Sequence, residues 1–297
     1  MAPLRLATRR SPLARAQVAL VAAALVAVGD EAVPVLLDSA GDRDLSVPIE
    51  RLGERGVFVT EIEAAVLEGR ADVAVHSAKD LPAAAPPPGL VLAAVPSRAD
   101  PRDALVGRSL AELRPGALVA TGSVRRRAQL AALRPDLGFV GLRGNIATRL
   151  SRVPDGGAVV VAAAALARLG LTADAAEILP TSVLLPQVGQ GALALRCRED
   201  DAATIARLAA VDDPDAHRCL LAERAFLAGL GGGCDAPVGA LARIEEGGLC
   251  LEGLLARRDG HFVLRARATG TAPEQLGARL ADELVAHRGG SLVVGEW

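Results

Sequence analysis

The first ninety or so residues alternate short apolar stretches of β type with stretches of helical periodicity, and this order limits the fold more than any other feature. A strand–helix–strand–helix order produces a mostly parallel sheet with helices packed against it. The predicted strands are 4–7, 33–37, 71–76 and 90–95, and the predicted helices are 13–28 and a segment from Phe58 to Gly69. In such a sheet ligands bind beyond the carboxyl ends of the strands, so residues there are the first functional candidates.

A second unit of the same kind follows the stretch 96–103, which has the composition of a connecting segment. Its predicted strands are 117–122, 138–142 and 158–166, and each runs into a helix. From Asp213 the pattern changes to a helix (215–228), a glycine loop, strands at 237–244, 249–256 and 261–269, and an amphipathic helix (272–287). The order predicts two α/β domains followed by a small α+β domain.

Length and composition agree with several domains and exclude some partners. The chain has 297 residues, 51% of them hydrophobic, with a net charge of −2. At roughly 150 residues per domain, this length predicts two domains or three small ones. Because the charge is balanced and the aromatic residues are four Phe, one Trp and no Tyr, we expect neither a nucleic-acid partner nor a membrane partner.

The cysteines and the N-terminal segment bear on the cellular compartment. Cys197, Cys219, Cys234 and Cys250 form no CxxC pair and have no nearby histidine at ligand spacing, so we expect no metal site. A chain with a large core needs no disulfides, and reduced thiols are expected. The apolar run 18–28 follows several arginines as in a signal peptide, but no cleavage site closes it cleanly, and eleven residues are too few to cross a bilayer. A cytoplasmic protein is predicted.

The segment VHSAKD (75–80) follows a buried strand. Its last residue, Asp80, is a candidate catalytic or cation-stabilising carboxylate. The alternative is a carboxylate that caps the next turn before Pro82. Lys79 is the only lysine of the chain. His76 is interpreted as a hydrogen-bonded structural histidine, because the sequence shows no partner that would make it a base.

Arginine recurs at three predicted junctions between a strand and a helix. The polar residues at these junctions are Arg9 and Ser11; Thr121, Ser123, Arg125 and Arg126; and Arg143 and Arg149. Free backbone N–H groups, hydroxyls and guanidinium groups together favour an anion, although a solvated arginine-rich helix face is the alternative. Because no Walker or dinucleotide fingerprint is present, we expect a cleft lined with cations that binds a ligand with several carboxylates.

Cys234 lies in the segment GLGGGCDAPVG (229–239), after three consecutive glycines. Such a loop lets a bulky group approach the backbone closely. A thiolate there could be a nucleophile or an attachment point, and the alternative is a small buried hydrophobic residue. The other three cysteines are interpreted as packing residues.

Together these segments resemble the porphobilinogen deaminase family, also called hydroxymethylbilane synthases. The matching segments run in family order along most of the chain and are RLATRRSPLA (5–14), GVFVTEIE (56–63), ADVAVHSAKDLP (71–82), DPRDAL (100–105), SVRRRAQL (123–130), LRGNIATRL (142–150), LPQVGQGALALRCR (185–198) and GGGCDAPVG (231–239). The combination is much more specific than any single segment.

The resemblance implies two α/β domains similar to type II periplasmic binding proteins, 1–95 with 189–211 and 96–188, and a small α+β domain, 212–297. It implies a transferase of porphyrin biosynthesis that joins four porphobilinogen molecules head-to-tail, with loss of ammonia, to give hydroxymethylbilane. It also implies a dipyrromethane cofactor in thioether linkage to Cys234, and a cytoplasmic monomer.

The resemblance also implies roles for individual residues. Asp80 would be the catalytic carboxylate at the pyrrole nitrogens. Cofactor binding would fall to Cys234, Lys79, Asp80, Thr121, Ser123, Arg125, Arg126, Arg143 and Arg149, and substrate binding to Arg9, Ser11, Arg143, Arg149, Arg168 and Phe58. Two positions depart from the family pattern: Thr60 stands where a lysine is usual, and Gly122 where a hydroxyl residue is common. The segment 38–60, which keeps Arg55, would correspond to a lid.

Two rival interpretations remain from the sequence. A non-catalytic solute-binding or effector-sensing protein of the same fold would need neither Cys234 nor a third domain. An arginine-rich nucleic-acid binder conflicts with the acidic charge balance and the five aromatic residues.

Overall fold

The computed structural model describes residues 2–37, 59–231 and 236–293. The chain forms two compact units. Unit 1 comprises Met1–Arg98 and Ala192–His217, and unit 2 comprises Ala99–Gly191 and Arg218–Trp297.

The strands and helices of the described residues are numbered in chain order. The strands are β1 (Leu4–Arg9), β2 (Ala32–Leu37), β3 (Val73–Ser77), β4 (Leu90–Ala94), β5 (Asp103–Gly107), β6 (Leu118–Ala120), β7 (Gly138–Val140), β8 (Ala158–Ala162), β9 (Ala175–Leu179), β10 (Leu193–Arg198), β11 (Val238–Glu245), β12 (Gly248–Ala256) and β13 (Val263–Gly270). The α-helices are α1 (Pro12–Ala27), α2 (Thr60–Leu67), α3 (Val124–Leu133), α4 (Ile146–Leu150), α5 (Ala163–Arg168), α6 (Ala202–Ala209), α7 (Pro214–Gly229) and α8 (Pro273–Asp282).

Unit 1 is built on a five-stranded sheet in the order β2-β1-β3-β10-β4. β1 is parallel to β2 and β3, and β10 is antiparallel to β3 and β4. Side chains alternate between the two faces of a strand, so Leu6 packs with Val21 of α1, whereas Ala7 packs with Ile62 of α2. Helices therefore cover both faces of this sheet.

Unit 2 contains a second five-stranded sheet in the order β7-β6-β8-β5-β9. β6 is parallel to β7 and β8, and β5 is antiparallel to β8 and β9. The same unit contains the antiparallel sheet β11-β12-β13. Leu241 and Leu254 of that sheet pack with Ala128 of α3 and with Leu185, which fixes the small sheet against the larger one.

The predicted architecture is confirmed: two α/β sheets, and a small α+β part at the C-terminal end. The sequence did not predict β5, β9 or α6. The stretch 158–166 is a strand only to Ala162, where α5 begins. Apolar alanine and valine continue across that boundary, so no periodicity marks it. The last predicted helix is α-helical to Asp282 and ends in a π-helical turn, Glu283–His287.

Three cysteines have the packing role that the sequence predicted. Cys197, Cys219 and Cys250 are buried and are not part of disulfide bonds. Burial raises the pKa of Cys197 to about 11, so this thiol is protonated and unreactive at neutral pH.

Candidate active site

A pocket in unit 1 lies at the carboxyl ends of β1 and β3. Its polar lining includes Arg9, Ser11, Gln17, Ser77 and Asp80. Three side chains that the sequence placed in separate segments, Arg9, Ser11 and Asp80, therefore line one pocket. The position agrees with the rule that ligands bind at the carboxyl ends of strands in α/β sheets.

Local hydrogen bonds hold the walls of this pocket. Ser11 caps α1, since its Oγ accepts a hydrogen bond from the Ala14 N–H at 3.3 Å, and Pro12 follows as the first helical residue. Gln17 Nε2 donates to Ser77 Oγ at 2.7 Å. This bond ties α1 to the end of β3, so the two walls keep a fixed separation.

Asp80 projects from an anchored backbone. It ends a single 3₁₀ turn, Ala78–Asp80, in which the Ala78 N–H donates to Ala192 O at 3.1 Å. Ala78 and Leu81 are buried, whereas Asp80 is exposed. Among the residues that the structure describes, none donates a hydrogen bond to its carboxylate, so no described residue supports the capping alternative or occupies either oxygen.

His76 is buried at the same pocket, beside the ion pair of Glu63 with Arg196. Its Nε2 lies 3.8 Å from Glu63 Oε1 and has no hydrogen-bond partner within the described ranges. Burial, reinforced by the charge of Arg196, lowers the pKa of His76 to about 3. The imidazole is therefore neutral at physiological pH, in agreement with a structural role, although the expected hydrogen bond is absent at this nitrogen.

In unit 2, Arg125 and Arg126 at the start of α3 share one buried carboxylate, that of Asp103. Arg125 Nη2 lies 2.7 Å from Asp103 Oδ2, and Arg126 Nη2 lies 2.6 Å from Asp103 Oδ1. Burial raises the pKa of Asp103, but the charges and hydrogen bonds of the two arginines outweigh burial and hold that pKa well below its usual range. Two guanidinium charges therefore face one carboxylate charge, and the cluster keeps one positive charge in excess.

The ends of β6 and β7 bring together two of the predicted arginine junctions. The Thr121 N–H donates to Val140 O at 2.9 Å, and the Ser123 N–H donates to Thr121 Oγ1 at 3.1 Å. Ser123 is also the N-cap of α3. Arg143, just beyond β7, is exposed, and Arg149 Nε donates to Gly144 O at 2.8 Å.

Arg168 ends α5, and its Nη2 donates to Gly191 O at 2.7 Å. Burial lowers the pKa of this guanidinium. Its Nε is buried and has no partner in the described part of the chain, and the same is true of Arg125 Nε. Unpartnered buried donors are costly unless a ligand satisfies them, so both arginines suit an anionic group.

Two predicted site residues, Phe58 and Cys234, and the predicted lid segment up to Phe58 lie outside the described residues. The flanks of Cys234 are described. α7 ends at Gly229, and after Ala236 the Ala240 N–H donates to Pro186 O at 3.0 Å.

Two family models match the chain. "Porphobilinogen deaminase, dipyromethane cofactor binding domain" matches residues 4–206, and "Porphobilinogen deaminase, C-terminal domain" matches residues 217–286. The chain belongs to the porphobilinogen deaminase family. The second match also speaks against the rival solute-binding protein, which would need no such domain.

Named relatives agree with this assignment. The porphobilinogen deaminase of Acidothermus cellulolyticus is 50% identical over 95% of this chain and 88% of its own. The porphobilinogen deaminase of a Roseiflexus species is 47% identical over 98% of this chain and 99% of its own. Among solved structures, a periplasmic substrate-binding protein of an ABC transporter from Coxiella burnetii has a TM-score of 0.42 and 15% identity over 72% of this chain and 94% of that chain.

The structure gives a physical reason for a glycine at position 122, where the resemblance implied a hydroxyl residue. A Cβ atom at this position would overlap the carbonyl oxygen of Leu142. The approach of the two strand ends therefore leaves no room for a side chain at Gly122.

We expect Gly122→Ser to lower the free energy of unfolding by about 1–3 kcal/mol, because the new side chain must push the backbone at Leu142 away. Gly141→Ser is a matched control, since a Cβ there meets nothing within 4 Å. Urea denaturation of both variants measures the difference. Equal stability of the two variants would show that the strand ends adapt without cost.

Sequence reasoning missed Asp103 as part of the arginine cluster. The residue falls at the end of the stretch 96–103, which was interpreted as a connecting segment. The available signal was general: two adjacent arginines buried in a helix need a buried counter-charge. No spacing rule identifies which carboxylate supplies that charge.

No described helix is long and apolar enough to cross a membrane. Residues 2–37, 59–231 and 236–293 contain no group of three or more His, Cys, Asp or Glu side chains that could hold a metal ion.

Proposed function

We propose that the chain joins four porphobilinogen molecules head-to-tail, with loss of ammonia, to give hydroxymethylbilane on a dipyrromethane linked through sulfur to Cys234. The observation that supports this most strongly is the match of both porphobilinogen deaminase domains, in order, along the chain. Family membership makes the chain a transferase of porphyrin biosynthesis.

The residues of unit 2 fit a cofactor that carries carboxylates. The cluster of Asp103, Arg125 and Arg126 has an excess positive charge, and Arg125 Nε is a buried donor without a described partner. Carboxylates of the cofactor would bind there, with Thr121, Ser123, Arg143 and Arg149 of the same unit. We also propose Lys79 as a cofactor-binding residue. When bound, dipyrromethane would supply the free pyrrole position to which the first porphobilinogen is joined.

Cys234 would form the thioether because a thiolate is a soft nucleophile, suited to the carbon electrophile that porphobilinogen becomes when ammonia leaves. The glycines before Cys234 would let the rings approach the backbone closely.

Asp80 would act as the catalytic carboxylate. Loss of ammonia from porphobilinogen leaves a positive charge that is shared with the ring N–H. A fixed carboxylate that accepts a hydrogen bond from this N–H stabilises the positive charge while the next ring attacks. Asp80 suits the role because its backbone is anchored by Ala78 and its oxygens have no described protein donor.

Arginines would also bind the acetate and propionate groups of the growing chain, and Arg143 and Arg149 would serve both cofactor and substrate. Each ring carries two carboxylates, and these cannot leave water unless cations pair with them. Substrate binding would use Arg9, Ser11, Arg143, Arg149 and Arg168, and Phe58 would pack near the growing chain. Pairing with ligand carboxylates would explain why a chain with a net charge of −2 contains so many arginines.

The proposal includes three domains, 1–95 with 189–211, 96–188 and 212–297. Each range contains one of the three sheets. We further propose a cytoplasmic monomer with no nucleic-acid or membrane partner. The balanced charge and the scarcity of aromatic residues support the absence of those two partners.

Incubation of the purified protein with porphobilinogen tests the function. We expect four ammonia molecules to be released for each tetrapyrrole, measured by an ammonia assay and by absorbance after acid oxidation of the product to a porphyrin. Binding of porphobilinogen with no release of ammonia would contradict the proposal and would favour a binding protein.

A further inference from the structure

Asp103 is the centre of a fully buried polar cluster at the start of β5. Its side chain has no exposed surface. Oδ2 accepts a hydrogen bond from Arg125 Nη2 at 2.7 Å, and Oδ1 accepts from Arg126 Nε and Nη2 at 3.0 and 2.6 Å. Gln190 Nε2 also donates to Oδ1, at 2.9 Å.

Other bonds fix the orientation of both guanidinium groups. Arg125 Nη1 donates to Leu185 O at 2.5 Å, and Arg126 Nη1 donates to Val160 O at 2.9 Å. Each of the three guanidinium nitrogens of Arg126 thus donates a hydrogen bond to a protein oxygen. Of the guanidinium nitrogens of Arg125, only Nε has no partner in the described part of the chain. The cluster is therefore rigid and can interact with an anion mainly through its excess charge and this one donor.

We infer that Asp103 is a positioning residue for the primer: its carboxylate holds Arg125 and Arg126 side by side and leaves one positive charge that a single cofactor carboxylate balances. This inference rests on the proposed cofactor role of the two arginines. Without the shared carboxylate, two like charges would stand next to each other in a medium of low dielectric constant and would separate. The primer would then lose its fixed position.

A purely structural ion pair would behave differently when it is removed. It would lower stability and the amount of folded protein, but the folded enzyme would bind its cofactor and turn over normally. A positioning residue acts on the primer, so its loss lowers cofactor loading and kcat in the loaded enzyme. The KM for free porphobilinogen depends on other groups and stays nearly unchanged.

The test is Asp103→Asn, which keeps the size of the side chain and removes its charge. Intact mass spectrometry measures the fraction of the purified variant that carries the primer, and steady-state kinetics are normalised to that fraction. We expect the loaded fraction to fall several-fold and kcat of the loaded enzyme to fall by about tenfold to a hundredfold, with KM changed by less than about twofold.

Two control variants distinguish a positioning role of Asp103 from the general effects of losing a negative charge or losing stability. Asp100→Asn breaks another Asp–Arg pair three residues away, that of Asp100 with Arg102, which is partly exposed. Val119→Ala truncates a buried core residue of unit 2 and lowers stability without touching the cluster. We expect both controls to load the primer and turn over as the wild type does.

The outcomes are distinct. Normal loading and normal kcat in Asp103→Asn, or an equal loss in a control, would overturn the inference. A wild-type protein that carries no primer would instead remove the proposed function, and the inference with it.

If Asp103→Asn does not fold, Gln190→Met is tested in its place. This variant keeps the charges of Asp103, Arg125 and Arg126 and removes one hydrogen-bond donor to Asp103. We then expect a several-fold lower kcat, and an unchanged kcat would overturn the inference.

Discussion

Asp80→Asn is expected to lower kcat for porphobilinogen by about 10²- to 10³-fold, because the amide cannot provide the negative charge that stabilises the cationic ring. The fold should be unaffected. The Asp80 side chain is exposed and accepts no hydrogen bond from any described residue, so we expect the free energy of unfolding to change by less than about 0.5 kcal/mol. Steady-state kinetics and urea denaturation measure the two quantities.

Asp200→Asn is the matched control for this experiment. Asp200 is also in unit 1, and its side chain is 84% exposed, so the variant removes one surface charge without touching the pocket. We expect it to keep wild-type turnover. If Asp80→Asn also kept near-normal turnover, the carboxylate would have no part in the chemistry.

Cys234→Ser is expected to abolish tetrapyrrole formation, with a loss on the order of 10³-fold or more, because a neutral hydroxyl is a far weaker nucleophile than a thiolate. Without the sulfur linkage the enzyme has no primer to extend. Ammonia release and porphyrin absorbance measure the loss.

Cys219→Ala is the control for the loss of a thiol. Cys219 is a buried cysteine in α7 that is not part of a disulfide bond, and alanine fits its space with a small change in volume. We expect this variant to remain active. Full activity of Cys234→Ser would show that the attachment point lies elsewhere or that no attachment is needed.

The sheets could be predicted from the sequence because local signals define most of their strands. Alternation of apolar strands with helices predicted a strand at 4–7 and a helix at 13–28, close to the observed β1 and α1. β5 and β9 could not be predicted in this way. Each is five residues long, and each is a strand only because it pairs with residues far away in the chain.

The candidate site was predictable to a similar extent. The positions of Arg9, Asp80 and Arg143 after strands follow from the sequence, because the carboxyl ends of parallel strands share one edge of a sheet. The burial of Arg125 and Arg126 against Asp103 does not follow, since the segment ATGSVRRRAQ is equally consistent with a solvated helix face. Long-range packing decided between these alternatives. Likewise, the absence of space at Gly122 depends on a carbonyl group twenty residues away in the sequence.

The most direct test of the whole account is the intact mass of the purified active protein, compared with that of Cys234→Ser. We expect a wild-type mass that exceeds the polypeptide by two linked pyrrole units, and no excess in the variant. An active wild-type enzyme with the mass of the bare polypeptide would contradict a primer bound to Cys234.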